Sequence, residues 1–534
     1  MKYSQDGWLD HLTGAIPIDA RRNQTSMYTI ALEGWRRGLK LKFYSIFEDQ
    51  KKKYRYSLSD ERKTHHFAGS GGDLITEEAF EICENKDEAH LFLEKANVPI
   101  PLSATFGSES SNEEIIQFAK KTHYPLVIKP TNASSGKGVI SNIKNETVLK
   151  EAIQYVRDVL GFDEIILQEY VDGDEVRIYV LKDKVLGATN RRPANVVGNG
   201  ESTIKMLIDQ KNKLRQAVPH LHFRPIKIDK EVKKLIHEKG YTIDSIPRAG
   251  ERVYLRKISN VSKGGEPVDI TNQLTAEQKD IAVRAARAIP GLPHCGIDMM
   301  ISNEDKSSGK IIEINTRPGL GSHLFPIEGE ARDIPKAIVD YYFPESQQRN
   351  KKTSKLYFDF GTILNTLKNG TVVQLEVPPA KLENIEAVKY IVSTELELKR
   401  YYNWFRKQAS INDFYGFVKE LEQDKFEMVI AAENKDDIDQ FKEKWRKVYG
   451  HRLNIEKEEQ WEAPVKLCFE LISDSNFLST VELDIKLKEL KKSVLSSEKE
   501  NERLKRRIQL TEESKAWKVT KPIRMITGLL KRSQ

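Results

Sequence analysis

Residues 125–138 read PLVIKPTNASSGKG, an apolar run that ends in a lysine and is followed by a loop of serine and glycine. The apolar and β-branched residues predict a strand, and the small residues after it allow backbone N–H groups to approach phosphate oxygens. Two lysines, Lys129 and Lys137, can offset phosphate charge. The spacing is neither G-x-x-x-x-G-K-S/T nor G-x-G-x-x-G, so the loop taken alone favours a flexible surface turn over a phosphate site.

Two acidic strands are predicted further along the chain, in HCGIDMMI (294–301) and KIIEIN (310–315). Glu313 and Asn315 lie two residues apart, so their side chains point to one face of their strand, and Asp298 lies on the strand before. Carboxylate and amide oxygens suit Mg²⁺. A Glu/Asn pair at this spacing is by itself typical of a solvated strand face. The order of lysine, glycine loop and acidic strands is what favours a nucleotide site.

Three intervening segments continue this order: ILQEYVDGDEVRIYVL (166–181), NRRPANVVGNGESTIKMLID (190–209) and TIDSIPRAGERVYLRKISNVSKGGEPVDIT (242–271). With the lysine loop and GIDMMI…IIEINTRPGLGSHLFPIEG, they resemble an ATP-grasp ligase, and in particular the ATP-grasp portion of cyanophycin synthetases. The resemblance covers residues 86–344, about half of the chain. It implies that ATP phosphorylates a substrate carboxylate, and that an amine attacks the acyl phosphate to give an amide bond, ADP and phosphate.

The resemblance also implies roles for individual residues and a requirement for ATP and Mg²⁺, with two ions and Mn²⁺ as a substitute. The implied metal ligands are Asp298, Glu313 and Asn315. The implied nucleotide-binding residues are Lys129, Ser135, Gly136, Lys137 and Gly138 at the phosphates, Gln168, Glu169, Tyr170 and Val171 at adenine, and Glu175 at ribose. Arg192, Arg256 and Arg317 are candidate catalytic residues that would bind the phosphoryl group or the substrate carboxylate, since a guanidinium presents a bidentate fork. Structural ion pairing is the alternative for each arginine.

Two departures from related families limit the substrate. D-Alanine–D-alanine ligases carry an arginine two residues before the metal-binding aspartate, where this chain has Gly296, so that reaction is disfavoured. Complete cyanophycin synthetases carry a further ligase domain with a P-loop, and this sequence contains no such motif.

The predicted fold class is α+β, in five parts. Residues 1–85 form a pre-ATP-grasp α/β unit and residues 86–345 an ATP-grasp domain. Residues 356–460 form a small ferredoxin-like domain, residues 476–513 a helical coiled coil, and residues 514–534 a basic amphipathic tail.

The small domain resembles an acylphosphatase through YYNWFRKQASINDFYGFVKELEQDKFEMVIAAENKDDIDQFKEKW (401–445). In that family an arginine binds phosphate and an asparagine orients water; the matching positions here hold Tyr402 and Glu420. A glutamate would repel an anionic acyl phosphate. The domain is therefore predicted to be a degenerate acylphosphatase that docks or presents substrate, with proofreading hydrolysis as the alternative.

A heptad pattern predicts the coiled coil. Its a and d positions are Leu483, Leu487, Leu490, Val494, Ser497, Asn501, Leu504 and Ile508. The predicted function is assembly into a homo-oligomer. The alternative is a helix that packs on the body of its own chain.

The net charge of +7 is concentrated at one end of the chain. Arg503–Gln534 carries ten basic and two acidic residues, a net of +8, which leaves the preceding residues at −1. This distribution disfavours a nucleic-acid partner, which would need positive charge over the working surface. A basic amphipathic tail predicts peripheral contact with an anionic membrane, with a solvated tail as the alternative.

Three dispersed cysteines exclude a disulfide framework and a cysteine-cluster zinc site, and the sequence shows neither a signal peptide nor a membrane-spanning stretch. The predicted location is the cytoplasm, at the inner face of the membrane if the tail binds lipid. The predicted function is a carboxylate–amine ligase that adds an amino acid or amine to a peptide or cell-surface polymer. The alternatives are a nucleotide-binding scaffold without turnover and an acylphosphatase.

Overall fold

The computed structural model describes residues 7–48, 50–131, 138–257, 259–303, 305–351, 355–379, 385–422 and 424–472, with seven further positions between 487 and 505. The chain divides into two compact units, Met1–Ser473 and Asp474–Gln534. Three predicted phosphate-loop residues, Ser135, Gly136 and Lys137, lie outside the described residues, as do the predicted tail and most of the predicted coiled coil.

The first region places a buried helix against an antiparallel sheet. Its elements are α1 (Thr25–Arg36), β1 (Lys40–Glu48), β2 (Lys51–Ser59), β3 (Thr64–Ala68), β4 (Gly71–Gly72) and α2 (Glu77–Glu84). All twelve residues of α1 are buried. A Cβ on Gly34 would lie 2.5 Å from Leu58 Cδ1, so the glycine is what lets α1 approach β2 this closely. Buried Arg36 donates from Nε to the Leu356 carbonyl at 3.0 Å and from Nη1 to the His11 carbonyl at 2.7 Å.

The second region contains a four-stranded antiparallel sheet covered by helices. Its elements are α3 (Lys86–Lys95), β5 (Ser103–Phe106), α4 (Asn112–Thr122), β6 (Leu126–Pro130), β7 (Ile140–Ile143), α5 (Glu146–Gln154) and β8 (Ile165–Glu169). The strand order is β5-β8-β6-β7. A capping box between Ser111 and Glu114 starts α4, whose Ile115 packs into the core with Ile128 of β6. We call this sheet the lysine sheet, since β6 carries Lys129.

The third region forms a five-stranded antiparallel sheet of order β13-β10-β9-β14-β15. Its elements are β9 (Gly173–Leu181), β10 (Lys184–Arg192), β11 (Asn195–Val197), α6 (Ile204–Ala217), α7 (Lys230–Glu238), β12 (Arg252–Tyr254), β13 (Glu266–Asp269), α8 (Ala276–Ala288), β14 (His294–Ser302), β15 (Lys310–Asn315), α9 (Gly321–Leu324) and α10 (Ile334–Tyr342). Ile178 of β9 and Ile297 of β14 pack against α8 on one face. Because side chains alternate along a strand, Glu175 and Arg177 of β9 and Asp298 of β14 lie on the other face. We call this sheet the carboxylate sheet.

The chain then returns to the first region before it builds the small domain. The remaining elements are β16 (Leu356–Tyr357), α11 (Phe360–Lys368), β17 (Gln374–Val377), β18 (Glu386–Thr394), α12 (Leu398–Ile411), β19 (Tyr415–Glu422), β20 (Lys425–Ala432), α13 (Lys435–Tyr449), β21 (Leu453–Gln460), β22 (Val465–Lys466) and β23 (Phe469–Ile472). β17 pairs antiparallel with β1 and extends the N-terminal sheet, and Phe360 packs on Tyr28 and Phe43. Residues 356–377, predicted to start the small domain, therefore lie with the N-terminal sheet.

The small domain has a separate sheet and core. Its strand order is β21-β18-β20-β19-β23, and α12 follows β18 as α13 follows β20. The first six elements run β-α-β-β-α-β, which is the ferredoxin-like connection. Trp445 of α13 and Phe405 of α12 pack on Tyr390 and Met428 of the sheet. β23 runs parallel to β19 as a fifth strand. The specific likeness to an acylphosphatase stays a prediction.

In the second unit, the described positions are helical. They are Leu487, Leu490, Val494, Glu498, Asn501, Glu502 and Lys505. The apolar side chains at three predicted a and d positions, Leu487, Leu490 and Val494, are 51%, 59% and 55% exposed. Over the described part of the chain, no helix combines the length and the apolar character needed to cross a membrane.

Candidate active site

Asp298 lies at the centre of a charged cluster on the open face of the carboxylate sheet. In the antiparallel register it stands opposite Arg177 of β9 on one side and Glu313 of β15 on the other. Opposed residues share a face of the sheet, so these side chains meet. Arg177 holds Asp298 as a bidentate pair: Nη2 donates to Oδ2 at 2.7 Å and Nε donates to Oδ1. Asp298 is nearly buried, with 8% of its side chain exposed.

A second arginine joins the cluster from β10. Arg191 Nη2 lies 3.4 Å from Asp298 Oδ1, and Arg191 Nη1 donates to Glu175. Asn315 Nδ2 lies 3.4 Å from Asp298 Oδ2. Two carboxylates and two guanidinium groups therefore form one connected network, with Asn315 at its edge.

The network determines the charge of its acids. Burial by itself raises the pKa of Asp298, but the opposing charges of Arg177 and Arg191 outweigh it, so the pKa lies below its ordinary value. Burial raises the pKa of Glu175 despite the partly compensating charge of Arg191. Asp298 is therefore held ionised at neutral pH, as a metal ligand must be.

Three oxygen-bearing side chains predicted to hold Mg²⁺ come together here. Asp298 and Glu313 are direct cross-strand neighbours, and Asn315 contacts Asp298. Among the described residues, the exposed carboxylate of Glu313 makes neither a hydrogen bond nor an ion pair. The candidate metal ligands are hard oxygen atoms, and the Glu313 carboxylate is available to bind a metal. This set fits Mg²⁺, which fills its remaining coordination positions with water and phosphate oxygens.

Lys129 and Gln168 lie on the lysine sheet. Lys129 Nζ donates to Gln168 Oε1 at 2.9 Å. Gln168 is buried, and its Nε2 has no partner within the described residues. Such a donor is costly unless it is satisfied, so it suits an acceptor on a ligand. Burial, together with the charge of Lys86, lowers the pKa of Lys129 to about 8, although the charge of Glu313 acts in the opposite direction. Lys129 and Glu313 thus face one space from the two sheets.

An ion pair joins the two sheets where the chain crosses between them. Lys310 of β15 contacts both carboxylate oxygens of Glu169, the last residue of β8, at 2.7 and 2.8 Å. Leu102 N–H also donates to Glu169, at 3.2 Å. Tyr170 is held by its backbone N–H on the Pro125 carbonyl at 3.2 Å, and half-buried Val171 follows. The Glu169 side chain is thus engaged in the junction between the two sheets, and the predicted adenine-binding role of residues 169–171 stays a prediction.

Gly138 ends the predicted phosphate loop in a conformation that favours glycine. Its φ is +75°, and a Cβ there would lie 2.8 Å from Pro130 Cγ at the end of β6. The close approach and the left-handed backbone both explain glycine at this position.

Arg192 and Arg256 lie in other ion pairs. Arg192 Nη2 donates to Glu328 at 2.9 Å. Arg256 is buried, and it donates from Nη2 to Asp229 at 2.6 Å, from Nη1 to Glu231, and from Nε to the Lys263 carbonyl at 3.0 Å. Asp229 caps the N-terminus of α7. The contacts of Arg256 are those of a structural ion pair, which is the alternative to a catalytic role for these arginines.

Arg317 is exposed and follows Asn315 by two residues. Its guanidinium carbon lies 3.9 Å from the ring centroid of Phe80 on α2. Burial lowers its pKa, and the charge of Arg55 lowers it further. The side chain borders a cavity beside the end of β15.

Sequence reasoning missed Arg177, Arg191 and Lys310. The signal for Arg177 was available, because Glu175 and Arg177 alternate with buried Val176 and Ile178 along β9. The choice between Arg191 and Arg192 needed the phase of β10, since neighbouring strand residues point to opposite faces.

A second group of oxygen and sulfur ligands lies far along the chain, in Asp359, Cys468 and Glu470. Lys466 already places an ammonium there, 2.5 Å from Glu470 and 3.6 Å from Asp359. A lysine occupies the position that a cation would take.

Comparison with known proteins identifies part of this architecture. Residues 83–216 match the RimK-like ATP-grasp domain family. This segment includes the whole lysine sheet and the strands β9 and β10. A RimK-like ATP-grasp domain therefore lies in this part of the chain, which confirms the predicted relationship to ATP-grasp proteins.

Curated relatives match about half of the chain. The glutathione biosynthesis bifunctional protein GshAB of Clostridium perfringens is 33% identical over 270 residues, which are 49% of this chain and 34% of that protein. Cyanophycin synthetase of Trichormus variabilis is 31% identical over 273 residues, 50% of this chain and 30% of that protein. The chain thus spans about a third of the length of these relatives. The crystal structure of a bifunctional glutathione synthetase from Pasteurella multocida is similar at 26% identity and a TM-score of 0.44, covering 55% of this chain and 40% of that one.

Proposed function

We propose that the protein is an ATP- and Mg²⁺-dependent ligase that joins a carboxylate to an amine and releases ADP and phosphate. The observation that carries the proposal is the meeting of two half-sites. Lys129 and Gln168 face the space from the lysine sheet, and Asp298, Glu313 and Asn315 face it from the carboxylate sheet. The match to the RimK-like ATP-grasp domain family supports ATP as the nucleotide that binds between these residues.

The residues of this chain supply binding and positioning. Lys129 would hold phosphate oxygens, and the unpaired Nε2 of Gln168 would donate a hydrogen bond to a ring nitrogen at the edge of adenine. Asp298, Glu313 and Asn315 would hold Mg²⁺, which when bound neutralises charge on the transferring phosphoryl group. Arg177 and Arg191 keep Asp298 ionised and oriented for that role.

The proposed reaction has two steps. A carboxylate oxygen forms a bond to the γ-phosphorus of ATP as the bond to ADP breaks. The amine nitrogen then forms a bond to the acyl carbon, phosphate leaves, and a proton is lost from the amine. Positioning and fixed charge supply most of the catalysis in such transfers.

Gly296 has no side chain to stabilise an acyl phosphate, at the position where D-alanine–D-alanine ligases carry an arginine. The guanidinium of Arg177 is suited to that role. A Cβ on Gly296 would lie 2.5 Å from Pro318 Cβ and 3.4 Å from Arg177 Cδ. A larger residue therefore has no room, and the guanidinium arrives from the neighbouring strand instead. We propose that Arg177 and Arg191 take this role and that Arg192 and Arg256 do not.

The test is ADP release that depends on added substrates. The full-length protein is screened with ATP, Mg²⁺, free amino acids and N-acylated amino acids as carboxylate donors, in pairs with amine acceptors. Glu313→Ala should reduce substrate-dependent ADP release about a hundredfold or more, because it removes a metal ligand. Glu277→Ala, an exposed glutamate in the first turn of α8, is the matched control and should match wild type. Wild-type protein that binds ATP without releasing ADP would instead be a nucleotide-binding scaffold.

For the small domain we propose docking or substrate presentation without hydrolysis. Tyr402, at the position where acylphosphatases carry arginine, stacks on Phe469 with ring centroids 6.4 Å apart. Glu420 is exposed on β19. Neither side chain offers a cation to an acyl phosphate. Hydrolysis of benzoyl phosphate by the full-length protein, lost in a Glu420→Gln variant, would overturn this assignment.

For the second unit we propose a homo-oligomer formed through the heptad positions. The exposure of Leu487, Leu490 and Val494 in a single chain supports a second copy as the partner. Sedimentation should give an oligomer for wild type and a monomer for Leu490→Lys. Glu498→Lys, off the a and d positions, is the control. For residues 514–534 we propose contact with anionic lipid, tested by flotation with phosphatidylserine vesicles against neutral ones.

A further inference from the structure

A cavity of about 250 Å³ lies between the N-terminal sheet and the loop that follows β15. Tyr44, Arg55 and His66 line it from β1, β2 and β3, and Phe80 and Arg317 line it from the other side. Sites for drug-sized molecules begin at roughly 300 Å³. The cavity is smaller than that, so it suits one chemical group with a short body and is too small for a nucleotide.

Two guanidinium groups face this cavity. Arg317 makes no ion pair among the described residues and lies flat on Phe80. Arg55 Nη2 donates to Glu48 at 2.6 Å, and 42% of the Glu48 side chain is exposed. Because both guanidinium groups line one cavity, an anion between them would meet a cation on each side.

An acidic residue, Asp73, also lines the cavity, and its carboxylate is engaged. Asp73 Oδ1 lies 2.7 Å from His65 Nδ1, and Asp73 Oδ2 accepts the backbone N–H of His66 at 2.7 Å. Both oxygens are thus used to fix the turn between β3 and β4. Neither arginine forms an ion pair with Asp73, so the cavity keeps its capacity for an anion.

The cavity is built against the end of the strand that carries Glu313 and Asn315. Buried Ser70 Oγ donates to the Pro318 carbonyl at 2.7 Å. A Cβ on Gly71 would lie 2.8 Å from Arg317 Cγ and 3.2 Å from the Thr316 carbonyl. Glycine is therefore what lets the β3–β4 turn contact residues 316–318. Whatever occupies the cavity lies beside the proposed metal site.

We infer that this cavity binds the carboxylate of a small organic acid with an apolar body. The two guanidinium groups match a carboxylate in charge and in bidentate geometry. Phe80, Phe67 and Ile75 provide apolar wall for the body, and the hydrogen-bonded pair of Tyr44 hydroxyl and His66, 2.7 Å apart, lies at the edge. The inference rests on the proposed function, because a carboxylate–amine ligase must bind its carboxylate substrate near the nucleotide. A free amino acid and the C-terminal residue of a peptide, whose amine is acylated by the chain, share this chemistry.

Calorimetric titration of the full-length protein tests the site directly. The probes are N-acetyl-L-valine, L-valine and N-acetyl-L-valinamide, which present a carboxylate with an acylated amine, a carboxylate with a free amine, and no carboxylate. N-acetyl-L-valine should bind wild type, and the amide should bind about tenfold more weakly or not at all. The ratio of the first two affinities distinguishes a peptide end from a free amino acid as the natural source.

Substitutions then locate the binding. Arg55→Gln should weaken N-acetyl-L-valine binding about tenfold, and Arg55→Lys should weaken it less, because it keeps the charge and loses the fork. Arg62→Gln is the matched control, since Arg62 is an exposed arginine in the turn before β3 and does not line the cavity. ATP titrated into each variant should bind with unchanged affinity, which also shows that the variants are folded.

Three results would overturn the site: equal affinity for the acid and the amide, equal affinity in wild type and Arg55→Gln, or no binding to wild type up to about 10 mM. These results are separable from the ligase proposal. Probe binding without any substrate-dependent ADP release would leave the carboxylate site standing and remove the ligase. ADP release without probe binding would do the reverse.

Discussion

Arg177 and Arg256 are both arginines with little solvent exposure and acidic partners, but the acids differ. Asp298, the partner of Arg177, is 8% exposed and is shared with Arg191. Asp229 and Glu231, the partners of Arg256, are each 47% exposed and belong to the start of α7. Arg256 therefore fastens a helix end and a loop together, whereas Arg177 holds a buried carboxylate beside the unengaged Glu313. An ion pair alone does not identify a catalytic arginine; the surroundings of its acid do.

The largest effect is expected when the buried acid itself is changed. Asp298→Asn should lower substrate-dependent ADP release by about a thousandfold, because it removes the central ligand of the proposed metal site. It should also destabilise the fold by about 3 kcal/mol, since two arginines lose their shared counter-ion. Steady-state ADP release and thermal melting measure the two effects. Asp280→Asn, an exposed aspartate of α8, is the control. Activity within tenfold of wild type would remove Asp298 from the metal site.

Changing the structural arginine should affect stability and leave the chemistry in place. Arg256→Met should reduce the free energy of unfolding by about 3 kcal/mol, because Asp229 and Glu231 lose their partner and the Lys263 carbonyl loses a donor. Urea unfolding measures the loss. In native buffer, kcat should stay within about twofold of wild type. A large loss of kcat in folded protein would give Arg256 the catalytic role that its contacts do not support.

Two adjacent arginines provide the sharpest pair of variants. Arg191→Met should lower kcat about thirtyfold, since it removes a charge that keeps Asp298 ionised. Arg192→Met should change it less than about twofold, because that side chain pairs with Glu328 on the other face. The ratio of the two kcat values is the measurement. If Arg192→Met is the more damaging variant, the assigned phase of β10 is wrong.

The smallest effect concerns pH. With the pKa of Lys129 at about 8, its ammonium is mostly charged at pH 7 and mostly neutral at pH 9. ATP affinity should therefore fall about fivefold over that range, and the dependence should be flatter in Lys129→Met. Because the pKa is depressed on folding, this lysine destabilises the folded state while it is protonated, and stability gains as pH rises through 8. ATP titrations at three pH values check the first statement and urea melts the second.

The sequence predicted the parts of the site that lie in short local patterns. Lys129 at the end of an apolar strand, and Glu313 and Asn315 at i and i+2, became candidates through their order along the chain, since each pattern alone favours a surface position. What it did not predict depends on pairing between distant strands. Arg177 reaches Asp298 only because β9 lies next to β14 in a particular register. A shift of one residue would turn Arg177 away, and nothing local to β9 fixes that shift.

The boundary of the small domain shows the same limit. The polar stretch after Pro344 predicts a linker, and the residues after it were assigned to a new domain. The structure instead returns β17 to β1, because Phe358 and Phe360 complete an aromatic core with Tyr28 and Phe43. Aromatic residues in a sequence indicate that a core exists, but not which distant partners they join.

This return of β17 has a consequence for the order in which the protein is made. β1 emerges early from the ribosome with one edge unpaired, and its partner follows only after both ATP-grasp sheets. At cellular rates of synthesis the interval is on the order of tens of seconds. Throughout that time the nascent chain presents a nine-residue edge, Lys40–Glu48, that other strands can join. Three charged residues on that strand, Lys40, Lys42 and Glu48, disfavour pairing with other strands until β17 is synthesised.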